Sequence, residues 1–368
     1  MIHLSLHILC DIITSLEGSV RPAIYLAEDL TNMGYSVIIV SPVILPKAEI
    51  EIKKMGIKTV NLNIKHFSSD SDSSLLWFET WIYEALFNLN SRRAKNEIPA
   101  AVNFSHLILA PSIFWYLQGP PSIALRDISG QLPLGFRLTY RLLKPIIEHI
   151  DEKKIRRAYN LSSFVIANSK FCASMYSKFG LEVHDIVYPP LDRKVFHPST
   201  ENPSGDYVLT YFGKETKFLV VKRIADLGVK IKAFGSKTSL IDKSVLKNPN
   251  IEFLGRISTE NLVDAYSNAL FTLFPFTHEP FGYIPIESMA CGTPVLTYGM
   301  QGPGEYVTDG ECGWLSKDDD DMIEKAVNLW KNGYPSEMRR HCLEASKIFD
   351  RNIYIKRWLR LLDSFDVI

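Results

Sequence analysis

Neither sign of charge dominates this chain: 41 Lys and Arg stand against 41 Asp and Glu in 368 residues. Without a basic excess it is a poor candidate for sequence-independent nucleic-acid binding, which needs clustered cations against phosphate. Cysteine is scarce, five residues far apart (Cys10, Cys172, Cys291, Cys312, Cys342), an odd number with no CxxC pair. That argues against a disulfide scaffold or a zinc ribbon and reads as small buried hydrophobes in a reducing cytoplasm. No apolar run approaches the roughly 20 residues that a spanning helix needs. The opening MIHLSLHILCDIITSLEG has no basic stretch ahead of its apolar residues, so it does not read as a signal peptide. Internal repeats and long low-complexity tracts are also missing. What remains is an ordinary packed composition, 46% hydrophobic and 22% charged, in a length that suits two domains.

The order of short β-branched runs and helical patterns carries the fold. Ile2, Leu4, Leu6 and Ile8 alternate with His3, Ser5 and His7, the period of a strand. After the loop Asp11–Gly18, Ala23, Leu26, Ala27 and Leu30 recur at helical spacing, Gly34 ends that helix, and residues 36–41 (SVIIVS) read as a buried parallel strand. The same grammar restarts at Val208–Phe212, with a helix over 218–227, strands over 229–234, 251–254, 270–276 and 295–298, and helices near 259–269 and after Pro285. Four prolines between Tyr188 and Ser204 mark a stiff linker. Two doubly wound α/β units are expected: residues 1–190 and 191–349, with a C-terminal helix over about 350–368 packing back on the first. Two such sheets facing across a cleft would hold one substrate each.

The strongest chemical signal is THEPFGYIPIESMACGTP, Thr277–Pro294, directly after the apolar run FTLFPF. Pro280, Gly282 and Pro285 interrupt regular structure, so Glu279 and Phe281 fall on a loop at a strand's carboxyl end. Pro285 suits a first helical turn. The amides of Gly282, Tyr283 and Ile284 would then open an anion site at the helix start, with Gly282 allowing close approach of a phosphate. Glu279 and Glu287, separated by seven residues, would flank it.

Glu, seven residues, Glu within EPFGYIPIESMACGTPV resembles the signature of the retaining GT-B glycosyltransferases of family 4, the group 1 glycosyl transferases. The resemblance continues at CGTPV, at GPGEYVTDGECG (302–313), ANSKF (167–171), YPPLDRKVF (188–196) and FDRNIYIKRWLRLL (349–362). It implies a GT-B fold and transfer of a sugar from a nucleotide-diphospho-sugar to a glycan, lipid-linked or small-molecule acceptor with retained anomeric configuration. By the same resemblance Glu287 would bind ribose hydroxyls, and Glu279 would lie beside the transferred sugar and steady positive charge at its anomeric carbon. Lys214 and Lys217 of the GKETK loop would stand where relatives carry an Arg and a Lys that neutralise the leaving diphosphate. Gly18 would stand in the Gly-rich turn of the first domain. Gln118 would occupy a place where many relatives have His, and it could hydrogen-bond a sugar hydroxyl without acid or base duty. Phe281, Gly282, Tyr283 and Ile284 complete the expected donor site.

No cofactor beyond the donor and no catalytic metal are expected. Asp318–Asp321 precede a helical pattern and read as helix-start acids, and Asp70–Asp72 lie in a polar loop. Two stretches bear on membranes. Residues 74–87 (SLLWFETWIYEALF) are rich in aromatics, and residues 126–157 hold eight basic against four acidic residues. Both suit peripheral attachment at the cytoplasmic membrane face; a core helix for the first and a solvated helix for the second suit them as well. A nucleotide-sugar epimerase on the same scaffold, or an inactive relative that binds a nucleotide-sugar, are the alternatives to transfer.

Overall fold

The computed structural model describes residues 5–63, 73–88, 100–131, 134–236, 241 and 243–368. The expectations for Ile2, His3 and Leu4 and for Asp70–Asp72 lie outside them.

The chain forms two compact units, Met1–Ser122 with Pro145–Pro190 and Asn352–Ile368, and Ile123–Lys144 with Leu191–Arg351. In the first, seven strands pair in parallel: β1 Leu6–Leu9, β2 Val37–Ser41, β3 Lys58–Asn61, β4 Ala100–Asn103, β5 Ser112–Leu117, β6 Ser162–Ala167 and β7 Asp185–Ile186. Their order is β3-β2-β1-β4-β5-β6-β7. The apolar runs that mark these strands are the ones that both faces of a parallel sheet must cover: Ile8, Ile39, Phe114 and Ile166 are fully buried in one cluster. The helix Arg21–Asn32 has Pro22 in its first turn and buries Ala23, Leu26, Ala27 and Leu30. The helix Arg351–Ser364 adds Tyr354, Ile355, Trp358 and Leu362 to the same cluster. There Trp358 meets the rings of Phe104, Phe114 and Tyr116, and the Tyr354 hydroxyl donates to the Pro22 carbonyl at 2.9 Å.

The second unit holds six parallel strands: β8 Val208–Phe212, β9 Ile231–Gly235, β10 Ile251–Gly255, β11 Thr272–Phe274, β12 Val295–Tyr298 and β13 Gly313–Ser316. Their order is β10-β9-β8-β11-β12-β13. Val208 pairs with Ile231 and Thr272 with Leu209. Helices Phe218–Asp226 and Asp319–Asn332 cover the core with Val221, Ile224, Met322 and Ala326. Both sheets are therefore doubly wound, as the sequence pattern leads one to expect. The run FTLFPF yields a strand of only three residues, because Pro275 cannot donate to a ladder and ends it.

Candidate active site

Strand order reverses between β8 and β11. The chain leaves β8 toward β9 and leaves β11 toward β12, on opposite sides. Loops at such a reversal diverge and open a crevice at the carboxyl ends of the strands. Here the two loops are hydrogen-bonded to each other. The Lys217 amide donates to the Pro275 carbonyl at 2.8 Å, the Thr277 amide donates to the Glu215 carbonyl at 2.9 Å, and Thr216 bridges Phe276 antiparallel. Thr216, fully buried, accepts from the Gly213 amide and donates to the Tyr211 carbonyl.

The helix of the motif starts at Tyr283, two residues before Pro285, and runs to Ala290. Its N-cap is Gly282 at φ +98°, a left-handed angle where a side chain would be strained and would also press on Pro303 and the Tyr306 hydroxyl. The half-buried Glu279 carboxylate folds back onto this helix start. It accepts from the Phe281 amide at 3.2 Å and from the Gly282 amide. At this turn the protein's own carboxylate takes up the amides of Phe281 and Gly282. Burial first, and the facing Glu215 second, push the Glu279 carboxyl up to about 7 against the pull of those amides and of Lys214.

Neighbouring groups fix the turn. The Tyr306 hydroxyl lies 2.8 Å from the Phe281 carbonyl and 2.9 Å from that of Gly282, and the Gly302 amide donates to the Glu279 carbonyl at 3.0 Å. Gly302 has no room for a Cβ against Pro280. The Phe281 ring points into the protein. It is buried against Tyr283, Tyr306 and Phe349, because an apolar ring next to a polar turn gains most by packing inward; only its amide serves the turn. Tyr283 and Ile284 are half-buried.

The two lysines part company. Lys214 is 54% exposed, 3.6 Å from the Glu215 carboxylate, and its charge acts on Glu279. Lys217 donates to Asp319 Oδ1 at 2.6 Å and lies 4.3 Å over the Tyr298 ring, while the Tyr298 hydroxyl donates to the same oxygen at 2.6 Å. Burial opposes ionisation of Asp319, yet these two donors hold its carboxyl below the usual range. A cavity of about 570 Å³ runs along Lys217, Tyr298, Gln301, Lys317 and Asp318–Asp320. Asp318 is the N-cap that the acidic run predicts, accepting from the Asp321 amide at 2.9 Å. Asp319 has a second role that the sequence does not disclose. Among the described residues no group of three or more His, Cys, Asp or Glu is placed to hold a metal.

Glu287 stands in the second turn of that helix. It is 4% exposed and accepts from the Tyr266 hydroxyl at 3.2 Å. Next to Glu279 stands His278, which the motif reading does not single out. It is buried, with Nδ1 3.0 Å from Asp127 Oδ2. Burial works against the Asp127 charge, but His278 and Arg126 together keep its carboxyl low. Gln131 donates to the Thr277 hydroxyl at 3.3 Å. The signal for His278 is its place beside a motif glutamate.

In the first unit the strand order reverses between β1 and β4. Asp11, just past β1, accepts from the Ser105 hydroxyl, from the amides of His106 (2.8 Å) and Leu107 (3.1 Å), and from Trp77 Nε1 (3.0 Å). His106 Nε2 lies 2.6 Å from the Tyr176 hydroxyl, and burial lowers its basicity. Burial also pulls the Lys154 ammonium down to about 8, opposed by Glu84 and Asp151. Gln118 donates to the Phe104 carbonyl at 3.2 Å, and Gly18, at φ +68°, is exposed in front of the helix Arg21–Asn32. The aromatic stretch 74–87 is a helix, Ser73–Phe87, that buries Leu76, Thr80, Trp81 and Glu84 and leaves Leu86 and Phe87 exposed.

Residues 231–349 match the family of glycosyl transferases group 1. This span holds Glu279, Glu287 and Asp319. The chain is 27% identical to an uncharacterized glycosyltransferase of Methanocaldococcus jannaschii over 49% of its own length and 54% of that protein. It is 28% identical to an alpha-1,3/1,6-mannosyltransferase of Neurospora crassa over 45% of each, and 27% identical to a D-inositol 3-phosphate glycosyltransferase of Mycolicibacterium smegmatis over 36% of each. It thus spans about half or less of these curated relatives. Anabaena HepE, solved with UDP and glucose, superposes with a TM-score of 0.72 at 16% identity, over 98% of this chain and 100% of that one. Sucrose-phosphate synthase of Thermosynechococcus elongatus gives 0.72 at 15% identity, over 98% of each. The fold is GT-B.

Proposed function

We propose that the protein is a retaining glycosyltransferase of family 4 that takes its sugar from a nucleotide-diphospho-sugar and needs no metal. The observation that carries this reading is the Glu279 carboxylate set against the amides of Phe281 and Gly282 at the β8/β11 reversal, inside the segment that matches the group 1 family. The bond from the anomeric carbon to the diphosphate oxygen breaks, the bond to the acceptor oxygen forms on the same face, and the acceptor proton passes to the departing diphosphate. Lys214 offsets charge on that leaving group, and Glu279, once ionised, steadies the cationic sugar. Lys217 joins Lys214 when the diphosphate competes with Asp319 for its ammonium. Glu287 and Tyr266 offer polar groups to the ribose from the buried side of the helix. The acceptor is a glycan, a lipid-linked sugar or a small molecule.

A panel of UDP-, GDP- and ADP-sugars tests the reading. A true donor raises the melting point, and with acceptor present it releases the nucleoside diphosphate, in EDTA as well as without it, and yields a product with the donor's anomeric configuration. Isomerised sugar from donor alone would indicate an epimerase. A melting shift with no turnover over a broad acceptor panel would indicate a binding protein. The names of the curated relatives favour transfer over both.

A further inference from the structure

One helix presents much apolar surface to water. The helix Leu134–Asn160 is anchored in its second half, where Asp151, Lys154, Ile155 and Ala158 are buried. Its first turns are not. Leu142 is 80% exposed, Leu134 68% and Phe136 66%, and Leu138, Leu143 and Ile146 are exposed with them. Pro145 separates the two halves; it lacks the N–H of a helix interior and loosens the join.

The exposed residues are sorted around the helix. Leu134, Leu138, Leu142 and Ile146 recur every four residues and form one apolar stripe, with Phe136 and Leu143 beyond it. Arg137, Arg141 and Lys144, four and three residues apart, lie on the adjoining side, and no acidic residue occurs from 134 to 147. A short helix in water is marginal without a packed face, so this one needs a surface that accepts leucines and cations side by side. A second copy of the chain is a poor fit, since a two-fold contact sets the same cations against each other. An anionic bilayer fits: leucines enter the interface while the arginine stems lie along it and the guanidinium groups meet lipid phosphates.

We propose that residues 134–146 dock this protein on the surface of a membrane rich in anionic phospholipid. The inference is independent of the transfer reading, because nothing in it uses the β8/β11 crevice.

The test is sedimentation of the full chain with vesicles of phosphatidylcholine alone and of phosphatidylcholine mixed with phosphatidylglycerol. The expected result is binding to the mixed vesicles only, weakened by salt. Arg137→Gln with Arg141→Gln should lower the partition coefficient on the order of 30-fold. Leu138→Gln with Leu142→Gln should abolish binding. Melting curves of both variants should match the original chain, as all four side chains are exposed. Equal binding to both vesicle types, no binding to either, or variants that bind as the original does would each overturn the proposal. So would a dimer in sedimentation velocity that the leucine variant splits, which would assign the face to a second copy.

Discussion

Each unit places a carboxylate at the reversal of its sheet, on opposite sides of that reversal, and the two are treated oppositely. Asp11 follows β1 at the reversal of the first sheet, and Glu279 follows β11 at that of the second. Asp11 accepts four hydrogen bonds from Ser105, His106, Leu107 and Trp77, which tie β1, β4 and the helix Ser73–Phe87 together. Glu279 has two amides, a like charge in Glu215 and a carboxyl pushed up to about 7. A carboxylate with every lone pair answered is structure. One left short of donors, beside an exposed lysine, keeps capacity for a ligand.

The strongest way to break this contrast is Glu279→Gln. Transfer from the donor that scores in the melting panel should fall on the order of 100- to 1000-fold in kcat, with the melting point held or raised. A loss of stability that explains the loss of rate would put Glu279 on the same footing as Asp11. The reverse outcome is expected for Asp11→Ala: about 2–4 kcal/mol lost in urea unfolding, since several buried donors lose their acceptor.

Proton linkage sharpens the contrast further. In the free enzyme kcat/KM should drop about tenfold per pH unit below pH 7, as the Glu279 carboxyl takes up its proton. Stability should move the other way. The folded carboxyl titrates at about 7, against 4.5 for an ordinary glutamate, so its neutral form favours folding at low pH. That contribution fades as pH rises through 7. Glu279→Gln should therefore gain up to about 3 kcal/mol relative to the original chain between pH 4 and pH 8. A flat difference across that range would remove the burial argument.

Much of the architecture is legible in the sequence. Val208–Phe212 and Val295–Tyr298 can be read to the residue, because a β-branched or aromatic run bounded by Gly or Pro has only one local solution. The helix start is displaced by two residues: Pro285 is the local signal, while the positive φ of Gly282 decides the boundary. The partners of charged groups are not legible. Lys217 meets Asp319 across 102 positions and Asp11 meets the His106 amide across 95. Local propensity carries no record of such pairs; only closure of the sheets brings them together. The acidic run 318–321 shows the mixture well, since its capping role is local and the grip of Asp319 on Lys217 is not.

Two smaller effects follow from the turn itself. Gly282→Ala forces a side chain into φ +98° against Pro303 and Tyr306, and should cost about 1–2 kcal/mol by thermal melting, with a rise in KM for donor. Asp319→Asn removes the charge that competes for Lys217. It should change donor KM by a few-fold toward tighter binding, on the scale of one exposed ion pair, and an unchanged KM would show that Lys217 never leaves its acid.

The cross-strand bonds between residues 215–217 and 275–277 have a mechanical corollary. Lys214 and Glu279 ride on one stitched ribbon, so neither can drift without dragging the other. Any insertion that lengthens one side of the seam must be matched on its mate, or the cation and the acid lose their common alignment.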